Sequence, residues 1–238
     1  MLSVPGEPMF YARWDRAVFV HYGADAATLQ RDVPFELDLR DGRAFVSIVA
    51  FTLSRMRPRI GEKLSEWLLK PIATHEFLNV RTYVRHQGEP GIFFLAEWLP
   101  NRLSVFLGPR SFGLPYRSGR VRYEHSPDGS ILCGSVAAKE GSLRYEGKIR
   151  NSSFQPCEIG SETEFMLERY TAFTQQRQRR RLFRIWHEPW RQAPAEIEVT
   201  EDSILRSTGA WYRTAEVISA NYSPGAEVWM GRPNRISG

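Results

Sequence analysis

Apolar and polar residues alternate along much of this chain, in short runs separated by turn signals. Within residues 79–86, valine and threonine alternate with arginine and tyrosine. A period of two places successive side chains on opposite faces of a strand. Asp41-Gly42 and Pro127-Asp128-Gly129 lie between such runs and favour hairpin turns. The pattern therefore predicts an α+β protein that is mainly antiparallel β, with few and short helices.

One run departs from this alternation. Residues 92–99 are apolar apart from Glu97. Continuous apolar runs are typical of strands that are buried on both faces. We therefore expect this strand to be covered on both sides.

Helix signals occur at three places. Asp25 fits the N-cap of a short first helix, and the apolar spacing within Glu62–Lys70 predicts a second. A Ser-x-x-Glu capping box begins at Ser161, ahead of residues 165–173, where the sequence leaves helix and strand open.

The chain contains no repeat, low-complexity tract or linker, so we expect a single domain over its 238 residues, with residues 219–238 extended or in a loop. The longest nearly unbroken apolar run, Ala44–Leu53, is far shorter than the ~20 residues that span a bilayer. The N-terminus has no basic segment followed by an apolar one. These features predict a cytoplasmic protein without a membrane association.

Familiar catalytic motifs are absent from the sequence. Gly141–Lys148 has the wrong glycine spacing for a phosphate-binding loop, and Ser111 is misplaced for a nucleophile elbow. The five histidines show no paired metal-ligand spacing. We therefore predict neither a metal nor a cofactor.

The net charge of +5 comes almost wholly from arginine, and five arginines cluster within residues 177–184. Such a cluster could neutralise phosphates of a nucleic acid or carboxylates of an acidic partner. A solvated loop or strand edge is the favoured interpretation, because cations at an edge discourage edge pairing and no nucleic-acid-binding motif accompanies the cluster.

Four segments together resemble the YqjF-like family of uncharacterised proteins, across roughly residues 12–200. They are Val33–Asp38 with Asp41-Gly42, Glu76–Val84, Arg110–Tyr116 and His187–Trp190. This family is distantly similar to acetoacetate decarboxylase. The resemblance implies a large antiparallel sheet that closes into a barrel around an interior site, and a possible homo-oligomer.

In acetoacetate decarboxylase, a proline and two lysines follow a glycine-arginine segment, and the first lysine forms a Schiff base. The similar segment here keeps Arg110 and Pro115 but has Tyr116 and Arg117 where the lysines would be. A phenol and a guanidinium cannot form an imine. The resemblance therefore implies a site that works without the Schiff-base lysine.

The same resemblance places two further polar residues, Arg16 and Glu76, at matched positions. If a strand begins at Glu76, its carboxylate shares a face with Leu78 and Val80 and points inward. We expect Glu76 and Tyr116 to be catalytic.

The expected ligand-binding residues are the arginines Arg16, Arg117, Arg110 and Arg81. Planar guanidinium groups suit contact with a carboxylate.

Binding of a small organic anion or carbonyl compound in an interior pocket is the leading hypothesis. Acid-base chemistry by Glu76 and Tyr116 on an enolisable substrate, of a lyase or isomerase type, is an alternative. A second alternative is the binding of nucleic acid or an acidic partner by residues 177–184, and a third is a purely structural role in assembly.

Overall fold

The computed structural model describes residues 6–59, 72–151 and 153–237, and strands dominate them. The strands are β1 (Pro8–Ala24), β2 (Glu36–Leu37), β3 (Ala44–Pro58), β4 (His75–His86), β5 (Glu89–Leu99), β6 (Tyr116–His125), β7 (Leu132–Ala138), β8 (Gly141–Ile149), β9 (Thr171–Gln176), β10 (Arg179–His187), β11 (Ala193–Glu201), β12 (Glu216–Gly231) and β13 (Asn234–Arg235). The predicted mainly antiparallel fold is confirmed. Among the described residues, no helix is long and apolar enough to cross a membrane.

In the described part of the chain three short α-helices accompany the strands, α1 (Ala26–Asp32), α2 (Arg102–Ser111) and α3 (Glu162–Leu167). Asp25 caps α1 by accepting a hydrogen bond from the Thr28 amide, as the sequence predicts. Ser161 caps α3 in the same way, so the open choice at residues 165–173 resolves into the end of a helix followed by β9. The helix predicted for Glu62–Lys70 lies outside the described residues. Two 3-10 helices, Ser203–Thr208 and Ala210–Thr214, precede β12.

Helix α2 was not predicted, although the topology requires a connection of this kind. Strands β5 and β6 run parallel, with Glu97 opposite Tyr116. Parallel neighbours need a crossover of about a dozen residues, and α2 supplies it. The Asn101 side chain accepts from the Ser104 amide and caps the helix. The sequence did not indicate this helix, because Gly108-Pro109 is a dipeptide typical of turns.

The strands join in the order β13-β10-β9-β5-β6-β7-β8-β11-β12-β1-β3-β4-β2, and further pairings link β5 to β4 and β10 to β12. Apolar side chains of β1, β3 and β4 are buried on both faces of the sheet and belong to two separate core clusters. The closing of the sheet into a barrel stays a prediction. Because both faces of these strands are buried, successive side chains along one strand belong to different cores. The site described next lies in one of these two cores.

Candidate ligand-binding cavity

A cavity of 290 Å³ lies in the second core cluster, between the sheet and helix α2. Its walls are mainly aromatic and aliphatic. The apolar lining residues are Met9, Phe10, Trp14, Phe51, Leu53, Met56, Ile72, Phe77, Phe94, Leu107, Phe112, Leu114, Phe183, Ile185 and Met230. A concave, mostly apolar space with a few polar groups is the usual form of a small-molecule site.

Three polar side chains form a row across one wall of this cavity. Asn79 on β4 is opposite Glu97 on β5, and Glu97 is opposite Tyr116 on β6. All three side chains line the cavity. Because neighbouring strands lie about 4.8 Å apart, side chains in register on one face are direct neighbours. The row therefore presents a carboxyl group between an amide and a phenol.

Glu97 is buried, and no compensating cation stands beside it among the described lining residues. Its side chain is 4% exposed, and its Oε2 atom has no hydrogen-bond partner. Burial raises the pKa of Glu97 well above its ordinary value. Among the described residues that line the cavity there is neither an arginine nor a lysine. The surroundings therefore favour the protonated, uncharged carboxyl group.

Tyr116 is held in place by close aromatic and backbone neighbours. Its ring centroid lies 5.6 Å from that of Phe77. A Cβ atom at Gly108 of α2 would come within 2.3 Å of the Tyr116 ring. Burial, and secondarily the nearby Glu97, raises the pKa of Tyr116 well above its ordinary value. Tyr116 therefore presents a protonated hydroxyl group, which can donate a hydrogen bond.

His75 is a further polar group in the cavity wall. Its ring centroid lies 4.7 Å from that of Phe77, and neither ring nitrogen has a hydrogen-bond partner. Burial lowers the pKa of His75 to about 4, so the imidazole is neutral at pH 7. At ~3.3 Å per residue, His75 lies ~13 Å along β4 from Asn79.

Tyr116 lines the cavity, whereas Glu76 does not. The predicted alternation places Glu76 on the face of β4 that carries Leu78 and Val80, which belong to the other core cluster. There Glu76 contributes, after burial, to raising the pKa of Tyr123. The structure therefore does not bring Glu76 and Tyr116 into one cavity, and the acid beside Tyr116 is Glu97.

Arg117 and Arg16 also lie away from the cavity lining. Arg117 is next to Tyr116 on β6 and so points to the opposite face, where its Nη1 donates to Ser207 Oγ at 2.9 Å. Its guanidinium group lies 5.2 Å from the Trp98 ring centroid. Arg16 is exposed at an irregularity of β1, with a φ of 53°. Its backbone oxygen lies 2.8 Å from His125 Nδ1.

Arg110 and Arg81 do not line the cavity either. Arg110 is on the exposed side of α2, where its Nη1 donates to the Phe106 carbonyl at 2.7 Å. Arg81 is buried on the same strand as Asn79, and its Nη2 donates to the Met166 carbonyl at 3.1 Å. None of the four predicted arginines therefore lines this cavity, and the expected anion contacts are not formed there.

The sequence did not identify most of the polar residues of the cavity, which are Glu97, Asn79, His75, Ser104 and Ser111. Glu97 had a usable signal, because it is the single charged residue in a run that is otherwise apolar. Asn79 belongs to a segment that carries the family resemblance, but its role depends on which face of β4 borders the cavity. His75 has no sequence signal beyond its residue type.

The cluster at residues 177–184 forms the β9-β10 hairpin, with Arg177 at the turn. Arg180 Nη2 donates to the Pro34 carbonyl at 2.8 Å, and Arg184 forms an ion pair with Glu89. Arg180 and Arg184 thus contact other parts of the same chain. In the described part of the chain, no group of three or more His, Cys, Asp or Glu side chains is placed to hold a metal ion.

Comparisons with known proteins match this chain along most of its length. The profile of DUF2071, a family described as an uncharacterised conserved protein, matches residues 11–227. The uncharacterised protein YqjF of Bacillus subtilis (strain 168) is 29% identical over 213 residues, which cover 87% of this chain and 85% of that protein.

Solved structures show the same fold at low sequence identity. An acetoacetate decarboxylase-like enzyme from Sphingomonas wittichii RW1 matches with a TM-score of 0.69 and 14% identity, over 98% of this chain and 94% of the other. The enduracididine biosynthesis enzyme MppR, complexed with pyruvate, matches with a TM-score of 0.64 and 11% identity, over 99% and 92%. The acetoacetate-decarboxylase-like fold is therefore confirmed.

Proposed function

The chain belongs to the DUF2071 family of uncharacterised conserved proteins, and from that premise we propose that its interior cavity binds a small carbonyl compound through non-covalent contacts. One observation carries the proposal. A carboxyl group and a phenol, both favoured in their protonated forms, stand in register on adjacent strands in the wall of an apolar cavity.

Two neutral donors side by side suit a carbonyl oxygen. That oxygen has two lone pairs and can accept a hydrogen bond from Glu97 and another from Tyr116. Hydrogen bonds are electrostatically stronger in apolar surroundings than in water. The structural neighbour MppR was solved with pyruvate, which carries a ketone. This supports a carbonyl compound as the ligand class.

Tyr116 occupies the position that the family resemblance gives to the Schiff-base lysine, and its hydroxyl cannot form an imine. Lys139 and Lys148 are exposed and do not line the cavity. Lys63 and Lys70 lie outside the described residues. We expect borohydride treatment with pyruvate or acetoacetate to leave the protein mass unchanged. A borohydride-stable adduct would overturn the non-covalent proposal, and Lys63→Gln and Lys70→Gln variants would show which amine reacts.

Binding is tested with isothermal titration against a panel of small ketones and aldehydes. Tyr116→Phe removes one donor and keeps the ring, so we expect ligand affinity to fall about 2- to 12-fold, as for one hydrogen bond of ~0.5–1.5 kcal/mol. Tyr11→Phe, outside the cavity lining, is the matched control and is expected to bind as the wild type does. Equal affinities for wild type and Tyr116→Phe would contradict the proposal.

Acid-base catalysis on an enolisable carbonyl compound is a second candidate function. The raised pKa of Glu97 favours it, because a carboxylate with a raised pKa is a stronger base than an ordinary one. In this reaction the ionised form of Glu97, the less populated of its two forms, takes a proton from the carbon beside the carbonyl, while Tyr116 donates a hydrogen bond to the carbonyl oxygen. Deuterium incorporation at that carbon, followed by NMR, tests it. Exchange that persists in Glu97→Gln would contradict this role.

A further inference from the structure

We infer that this cavity selects an uncharged molecule, with one carbonyl group and an apolar body, over a carboxylate of the same length. The inference rests on the proposed function and deepens it by naming the ligand class. It replaces the organic anion expected from sequence.

Charge is the first argument. The titratable groups that line the cavity are Glu97, Tyr116 and His75, and the described lining holds no arginine or lysine. A bound carboxylate would be a second acid beside Glu97, and no described lining residue would supply a cation to compensate it. Burying an isolated carboxylate costs far more than burying a neutral carbonyl group.

Among the described residues, two buried candidates for a compensating cation do not serve. Arg81 is buried, but it does not line the cavity and its Nη2 donates to the Met166 carbonyl. His75 does line the cavity, but burial disfavours its charged form. The described lining therefore offers a ligand hydrogen bonds and apolar contact without a positive charge.

Shape is the second argument. Glu97 and Tyr116 stand on one wall, and much of the remaining surface is aromatic. The rings of Phe51 and Phe77 are stacked, with their centroids 5.4 Å apart and an interplanar angle of 5°. The ring centroid of Trp14 lies 5.0 Å from that of Phe51. These faces suit an alkyl chain or a flat ring.

The cavity volume sets the size of the ligand. At the ~30 Å³ that one water molecule occupies in the liquid, 290 Å³ corresponds to about ten non-hydrogen atoms. A ketone such as 2-octanone or acetophenone is of this size. Pyruvate would leave most of the apolar wall without contact.

The test compares matched pairs in isothermal titration at pH 7: 2-octanone with 2-oxooctanoate, and acetophenone with phenylglyoxylate. We expect each ketone to bind at least 10-fold more tightly than its oxo acid. Equal or tighter binding of the oxo acids would overturn the inference and leave the proposed function standing. Binding of neither member of a pair would overturn both, and so would ketone binding that Tyr116→Phe leaves unchanged.

A variant that introduces a positive charge into the cavity wall gives an independent test of the charge argument. Met56 lines the cavity and is half-buried, so a long cationic side chain there can keep its stem on the wall. We expect Met56→Arg to narrow or reverse the preference for the ketone, whereas Met56→Gln, the uncharged control, keeps it. An oxo acid affinity that is the same in both variants would contradict the charge argument.

Discussion

The backbone of α2 at Gly108 lies close to the ring of Tyr116 in the proposed site. A Cβ atom added at Gly108 would lie 2.3 Å from two ring atoms, so the ring would have to move. We predict that Gly108→Ala displaces the phenol and weakens ketone binding by about 10-fold or more, as expected for the loss of a well-placed hydrogen bond and its packing.

The same substitution should leave the fold intact, since alanine is favoured over glycine in a helix by about 1 kcal/mol. Isothermal titration with 2-octanone and the melting temperature together check both parts. Gly23→Ala is the control, because a Cβ atom there would meet its nearest neighbours at 3.4 Å. Wild-type affinity in Gly108→Ala would show that the position of the Tyr116 ring is not important.

Glu97 gives a second prediction at this scale. Its folded-state pKa is raised by burial, so its contribution to stability is fully present below its unfolded pKa of ~4.3 and is lost as the pH rises towards the folded value. Glu97→Gln cannot ionise and keeps a similar shape. We therefore expect the variant to gain melting temperature relative to the wild type as the pH rises from 4 to 8. Parallel profiles would contradict a neutral Glu97, and Glu124→Gln, at an exposed position, is the control.

At the scale of elements, a buried ion pair joins the segment ahead of β3 to the end of α3. Asp38 accepts from Arg169 Nη1 at 2.6 Å and from Arg85 Nη2 at 2.8 Å. The Asp38 and Arg169 side chains are 6% and 5% exposed, whereas Arg85 is 43% exposed. Removal of one partner from a buried pair leaves the other charge uncompensated.

We predict that Asp38→Ala lowers the free energy of unfolding by about 3–5 kcal/mol, measured by urea denaturation. Arg85→Gln removes the exposed partner only, so its cost should be about 1 kcal/mol or less. Similar losses in the two variants would show that burial does not determine the strength of this interaction.

The same scale shows what sequence could predict. The hairpin at Pro127-Asp128-Gly129, the cap at Asp25 and the strand 92–99 follow from local patterns and are confirmed. The hairpin predicted at Asp41-Gly42 is wrong in its pairing: the chain turns there through a single bridge between Arg40 and Arg43, and β2 pairs with β4 instead of β3. The alternation also places Glu76 on the correct face of β4. What local pattern cannot supply is which face borders the cavity, because β4 has a core on both sides. The carboxyl group in the site comes instead from Glu97 on β5. Tyr116 lies beside it because the crossover helix α2 brings β6 parallel to β5.

At the scale of the whole molecule, four buried histidines set the response to acid. Burial is the main cause that lowers the pKa of His21 to about 3 and the pKa values of His75, His125 and His187 to about 4. A depressed pKa means that the folded state binds fewer protons than the unfolded state. The associated stability is present above the unfolded pKa of ~6.5 and is lost as the pH falls.

We therefore predict a marked fall in the free energy of unfolding between pH 6.5 and pH 4, on the order of 1 kcal/mol per pH unit for each histidine that stays neutral. Urea denaturation at several pH values measures it. The titration of Glu97 raises the free energy of unfolding as the pH falls, but the four histidines together have the larger effect. Constant stability over this range would contradict the neutral, buried state of the histidines.

Heparin chromatography tests the alternative function, the binding of nucleic acid by the positively charged residues 177–184. If residues 177–184 bind nucleic acid, retention on heparin should depend on salt and disappear when Arg179, Arg180 and Arg181 are changed to glutamine. We expect this triple variant to bind 2-octanone as the wild type does, because none of the three arginines lines the cavity. Loss of ketone binding in that variant would connect the cluster to the site.

A crystal structure with 2-octanone bound tests the central claim most directly. We expect the ketone oxygen to lie within hydrogen-bond distance of Tyr116 Oη and the Glu97 carboxyl group, with the alkyl chain against Phe51 and Phe77. Ligand density elsewhere in the molecule, or density that continues into a lysine side chain, would contradict it.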